Sequence, residues 1–152
     1  MSSVTFRPMI ASDLFDIEKR KETKGIERVT KEHAERMASQ PNLFTFLSSE
    51  GRILAIGGGL DCWPGRAEGW AVFAPKVRDF VPEITARAKE ILSQIDVNRI
   101  EVAVRCDFPE GHAWASELGF KAEAECLEAY DAEGNDCSLY AIVKQTKPRK
   151  VI

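Results

Sequence analysis

Histidine and tyrosine are scarce in this chain, two of each, and cysteine occurs four times. The cysteines stand at 62, 106, 126 and 137, no two at the spacing of metal ligands, and His33 and His112 are too few to complete a structural zinc site. No metal site is expected. No apolar run approaches the ~20 residues that cross a bilayer. No secretory leader opens the sequence, so free thiols in a reducing compartment and a soluble, cytoplasmic protein without membrane contact are expected. Neither sign of charge dominates: the formal net charge is −3, which excludes a general electrostatic pull toward nucleic acid. Nucleotide fingerprints are also missing. Gly57-Gly58-Gly59 has neither the lysine of a phosphate loop nor the GxGxxG spacing ahead of a helix.

What is present is the composition of an ordinary globular protein, 44% hydrophobic and 30% charged, and 152 residues suit a single domain spanning 1–152. Lys144, Lys147, Arg149 and Lys150 make the end basic, and residues 146–152 read as a frayed tail. The stretch that organises the chain is 68–95. Trp70, Ala71, Val72, Phe73 and Ala74 form a short apolar run between Gly69 and Pro75, the pattern of a buried strand. A connector over 75–81 carries Lys76, Arg78 and Asp79. Ile84, Ala88, Ile91 and Ile95 then share one face of a helix, with Pro82 in its first turn, where the missing N–H has no intrahelical use. Such a junction aims backbone N–H groups at an anion, and is equally an ordinary piece of any α/β domain.

Ahead of this stretch, 4–8 reads as a strand. Ser12 or Asp13 caps a helix that turns Leu14, Phe15 and Ile17 inward, with a charged tail over 18–24 stopped by Gly25. Thr30 opens a second helix with Ala34, Met37 and Ala38 inward. Strands 43–47 and 52–60 pair across a turn at 48–51. The glycine triplet suits a strand only where backbones bend or approach closely, and 61–66 reads as a loop. Beyond the stretch, 99–105 alternates strictly, a helix runs from Pro109 to Leu118, and strands over 120–130 and 137–143 flank a loop at 131–136. The order β-α-α-β-β-β-α-β-α-β-β predicts an α/β fold with one mixed sheet and helices on both faces. Asp61 and Asp107 end strands where ligands gather in such folds. Cys106 adjoins Asp107 but has no histidine near it in sequence to activate it.

That order, the Leu118-Gly119-Phe120 ending and Phe6-Arg7-Pro8 followed by Ser12-Asp13 make residues 4–145 similar to the GNAT acyltransferase superfamily. Leu54-Ala55-Ile56-Gly57-Gly58, Cys62-Trp63 and Trp70 ahead of a basic connector further resemble the GNAT-like internal virion proteins of short-tailed phages and their prophage relatives. The resemblance implies a GNAT fold in which strands 70–74 and 99–105 are parallel neighbours. It implies an acetyl-CoA-dependent N-acetyltransferase acting on an amine that the sequence does not identify. The alternative is a non-catalytic phage or prophage protein with a structural or binding role. Partners beyond the amine, a homodimer or virion components, stay open, as does a place in the virion.

The resemblance also implies site residues. In GNAT enzymes the fourth strand pairs with the pantetheine arm, and the loop Q/R-x-x-G-x-G/A wraps the pyrophosphate. Matched to this chain, Val72, Phe73 and Ala74 meet pantetheine, and Lys76, Arg78, Asp79, Phe80 and Val81 meet the phosphates. Arg78 keeps the arginine, but Val81 and Glu83 replace both glycines and Pro82 removes a donor, which predicts a weak grip from a degenerate loop. Glu68 stands where many members keep the base; the plainer reading is a solvent-facing charge at a strand end. The fourth helix has no tyrosine to act as acid, which leaves His112, or a surface histidine, in its place. Asp107 is the third catalytic candidate.

Overall fold

Local chemistry sets the first elements. In the computed structural model, which describes residues 3–17 and 29–144, β1 covers Thr5–Pro8 and a single helical turn, α1, covers Asp13–Asp16. The charged tail expected at 18–24, its stop at Gly25 and the frayed end at 146–152 lie outside the described residues. Helix α2 (Lys31–Ala38) starts where the Thr30 hydroxyl accepts the His33 N–H at 3.1 Å, and it buries Ala34 and Met37. Leu14 and Ile17 are buried as expected. Phe15 is not: it stands 51% exposed, because one helical turn presents a single face inward and position 15 is off it.

The remaining elements are β2 (Asn42–Leu47), β3 (Ile53–Trp63), β4 (Arg66–Phe73), α3 (Val81–Gln94), β5 (Arg99–Arg105), α4 (Pro109–Glu117), β6 (Lys121–Leu127) and β7 (Cys137–Val143). Their order among the described residues is the expected one. Boundaries differ in two places. The strand expected over 120–130 is β6, which ends at Leu127. The loop expected at 61–66 is a two-residue turn at Pro64-Gly65, with β3 running on to Trp63 and β4 starting at Arg66, four residues before the apolar run. Asp61, Cys62 and Trp63 are exposed, so this arm of the hairpin is held by backbone pairing and leaves no trace in the hydrophobic pattern.

Among the described residues, seven strands form one mixed sheet in the order β1-β2-β3-β4-β5-β7-β6. The β1–β2, β2–β3, β5–β7 and β6–β7 pairs are antiparallel, and β4–β5 is parallel. The chain clusters into two compact units. The first comprises Met1–Leu60 with Trp70–Ile95, the second Asp61–Gly69 with Asp96–Ile152. In the first, Met9, Leu14, Ile17, Ala34, Met37, Leu43, Ile56, Val72 and Ala74 make a continuous core. Its glycine triplet answers the expectation of close approach: a Cβ on Gly58, whose φ is +145°, would lie 1.9 Å from the Asn42 carbonyl oxygen. In the second, α4 lies on β5, where Gly111 admits the side chains of Val104 and Phe108.

Asp13 is not the cap that the sequence suggests but a buried anchor. Its carboxylate, 2% exposed as a residue, accepts from Arg7 Nη1 at 2.8 Å and Nη2 at 3.0 Å, from the Ile10 N–H at 3.0 Å and from the Thr45 hydroxyl at 2.6 Å. Burial by itself pushes this carboxyl up. Arg7, Thr45 and the Ile10 N–H together outweigh it and hold the group below the usual carboxylate range. A depressed folded pKa adds stability above the unfolded value of ~3.9 and loses it as pH falls through the folded value. Asp13→Asn should therefore cost about 1.5–3 kcal/mol at pH 7 in urea unfolding. The gap to the parent protein should close below pH ~4; a gap unchanged at pH 3 would show that the charge is not what matters.

Candidate active site

Three residue pairs make the whole described ladder between β4 and β5: Arg66 with Arg99, Ala67 with Ile100, and Glu68 with Glu101. Charges of both signs gather on one face of it. Glu101 accepts from Arg66 and, at 2.7 Å, from Arg99 Nε; Arg99 reaches on to Glu123 of β6. Arg66 also lies over the Trp63 ring, 4.6 Å from its centroid. The Arg66 hydrogen bond, then Arg99, holds Glu101 below the usual range despite its partial burial, and Glu123 and Glu101 push the Arg99 guanidinium up. Glu68 stands opposite Glu101 in the last pair, exposed, and contributes to the field on Arg66. The candidate base is thus on a strand, at the point where the described pairing of β4 with β5 ends.

Beyond that point β4 belongs to the first unit. Val72 and Ala74 are buried, Phe73 is half-buried, and the Ala74 N–H donates to Leu54 O at 2.9 Å. The connector is a short 3-10 turn, Val77–Phe80, fastened by the Val77 N–H to Ala74 O at 3.2 Å and by the Val81 N–H to Arg78 O. Lys76, Arg78 and Asp79 are exposed on it and Phe80 is half-buried. Helix α3 begins at Val81, one residue before Pro82. Glu83 does not point its charge freely at this end: its Oε2 accepts from the Ser3 N–H and the Ser3 hydroxyl, both at 2.8 Å.

These details test the turn against a CoA pyrophosphate. The Val77 and Val81 N–H groups are spent on internal carbonyls and Pro82 has none, which leaves fewer backbone donors for an anion. Two exposed cations remain, and the nearest carboxylate on the helix is tied to Ser3. Side-chain charge from Lys76 and Arg78 is what the turn offers an anion.

His112 and Asp107 sit in the second unit. His112 is half-buried and Asp107 is exposed, and each has a partner. His112 Nε2 lies 2.9 Å from Arg105 O, and Nδ1 lies 2.8 Å from the Tyr140 hydroxyl. A carbonyl only accepts, so Nε2 carries the proton, and in the neutral ring Nδ1 accepts from Tyr140. The imidazole thereby fastens α4 to β5 and β7. Asp107 forms a fork with Arg105, Nε to Oδ1 at 3.1 Å and Nη2 to Oδ2 at 3.0 Å, and this pairing holds its carboxyl below the usual range. Asp61 is exposed at the far end of β3. Sequence reading overlooked Tyr140. Its link to His112 spans 28 residues and depends on the register of β7, which no local pattern reports. Among the described residues no three His, Cys, Asp or Glu side chains are placed to hold a metal ion, and no helix is long and apolar enough to cross a membrane.

No family model matches the sequence, and no curated protein matches it. Solved structures do. The fold is similar to that of the spermidine/spermine N-acetyltransferase SpeG from Vibrio cholerae in complex with manganese ions, with a TM-score of 0.68 and 16% identity over 93% of each chain. A chimera of that enzyme with hSSAT gives 0.72 at 16% identity, over 93% of this chain and 96% of the other. A protein assigned as a phosphinothricin N-acetyltransferase gives 0.75 at 14% identity, over 95% of this chain and the whole of the other. The chain has the fold of the GNAT N-acetyltransferases.

The clamp around His112 is testable apart from any activity. His112→Ala leaves a buried Tyr140 hydroxyl and the Arg105 carbonyl without this partner, and should cost about 1–3 kcal/mol in urea unfolding. Tyr140→Phe in the His112→Ala background should cost little more, because the two residues act through one hydrogen bond. Additive losses would show that the pair is not coupled.

Proposed function

We propose that the protein transfers an acetyl group from acetyl-CoA to an amine. The observation that carries this reading is the GNAT fold over nearly the whole described chain, matched to structures that are named as N-acetyltransferases. The short parallel ladder supports it: past Glu68 the strand goes on through Val72 and Phe73 with no further described pair to β5. Lys76 and Arg78 supply charge for phosphates on the turn that follows. These features favour the catalytic reading over a non-catalytic phage protein.

In this reading Val72, Phe73 and Ala74 border the pantetheine arm, while Lys76 and Arg78 hold the phosphates electrostatically. Asp79, Phe80 and Val81 shape the turn that presents those two cations. Acetyl-CoA, when bound, supplies the thioester carbonyl. Glu68 takes the proton from the attacking amine, directly or through one water. His112 orients the β5–α4 junction through Tyr140 and Arg105, and Asp107 anchors the same junction through its fork with Arg105.

The test is acetyl transfer over a broad panel of amines and peptides, followed by Glu68→Gln on the best acceptor. The variant keeps size and hydrogen bonding but cannot accept a proton. Turnover should fall roughly 10²–10⁴-fold with acetyl-CoA affinity nearly unchanged. Full turnover in the variant would return Glu68 to a surface charge, and a panel without a single acceptor would favour the non-catalytic reading.

A further inference from the structure

We propose that Cys106 and Cys126 form a dithiol site that closes into a reversible disulfide when oxidised by a peroxide or by a small disulfide such as oxidised glutathione. The two residues are 20 apart in sequence, Cys106 just after β5 and Cys126 near the end of β6, and the Cys106 thiol reaches the carbonyl of Glu125, the residue before Cys126. A β-bulge lies at this point. In the β6–β7 ladder Ala124 faces Leu139 and Leu127 faces Cys137, so Glu125 and Cys126 together oppose the single residue Ser138. Such two-against-one positions bend a strand and re-aim a side chain.

The bulge is tied to Cys106 on several sides. The Cys106 thiol donates to Glu125 O at 3.5 Å, and the Ser138 hydroxyl donates to the same carbonyl at 2.6 Å. Cys106 Sγ lies 3.8 Å from Ser138 Oγ, and its backbone N–H donates to Asp136 O at 2.9 Å. Cys126 feels its neighbour directly: a hydrogen bond with the Cys106 thiol is the largest of the effects that push the Cys126 thiol up, with Asp136 and Glu128 adding in the same direction. Both residues are exposed, so a solvent-borne oxidant reaches them, whereas Cys137 is buried at 2% and bonds to its own turn at Asn135 O.

The chemistry balances with the oxidant named. With a peroxide, one thiolate attacks oxygen to give a sulfenic acid and release water or an alcohol; the second thiol attacks that sulfur and expels water. With a small disulfide, one thiolate displaces a thiol to form a mixed disulfide, and the partner displaces the second. Either way two protein thiols become one S–S bond, and two electrons pass to the oxidant. The link would tie β6 to the junction that leads through Asp107 into α4.

The experiment is treatment of the whole protein with hydrogen peroxide or oxidised glutathione, read by intact mass and by peptides cut at both basic and acidic residues. Cutting at acidic residues separates Cys126 from Cys137. The expected result is loss of two hydrogens, a Cys106–Cys126 cross-linked peptide, reversal by dithiothreitol, and a Tm raised by the closed loop. Cys62→Ser should keep the link, and Cys106→Ser and Cys126→Ser should each abolish it. Separate glutathione adducts or sulfinic acids without a cross-link would overturn the proposal. So would a bond from either residue to Cys137, or oxidation confined to dimers through Cys62.

Discussion

The parallel contact between β4 and β5 is the constraint on which the arrangement rests. The other strand pairs with a described register are antiparallel. A parallel pair needs a crossover, and 14 residues of α3 with a 3-10 turn before it supply that crossover. Only three residue pairs hold the ladder, and they are flanked by Arg66, Glu101, Arg99 and Glu123. Single exposed ion pairs contribute little, but Glu101 is mostly covered and takes two guanidinium groups at once. The charge chain sits on the shortest of the ladders with a described register.

The elements with strong periodicity were legible in the sequence. Ile84, Ala88 and Ile91 define α3, Ile100 and Val104 define β5, and Thr30 marks the start of α2 by a cap that the structure shows. The β3–β4 hairpin was not legible in full, because its arm through Asp61, Cys62 and Trp63 is exposed on both sides and carries no apolar alternation. Asp13 misled for a related reason. An aspartate beside Ser12 at a helix start is a cap by local rules, yet a donor from β1, another from β2 and a backbone N–H draw it inside. Long-range donors leave no mark on local sequence.

At the candidate site the split is similar. The positions of Glu68, Lys76 and Arg78 follow from strand and turn boundaries that sequence reading placed within a few residues. The states of His112, Asp107 and Glu83 do not. Each is decided by a partner on another element or across a turn, namely Tyr140 with Arg105 O, Arg105, and Ser3. Cys106 is the extreme case, since its thiol finds Glu125 O on β6 only because of a bulge in the β6–β7 ladder.

The proposed grip on acetyl-CoA is electrostatic, through Lys76 and Arg78 on the turn before α3. Calorimetric titration of the protein with acetyl-CoA tests it most directly. Binding should be weak, with a Kd of a few hundred micromolar, about −5 kcal/mol, and it should weaken further as salt screens Lys76 and Arg78. No heat of binding up to millimolar acetyl-CoA would contradict the proposed activity, and salt-insensitive nanomolar binding would contradict the charge-based grip.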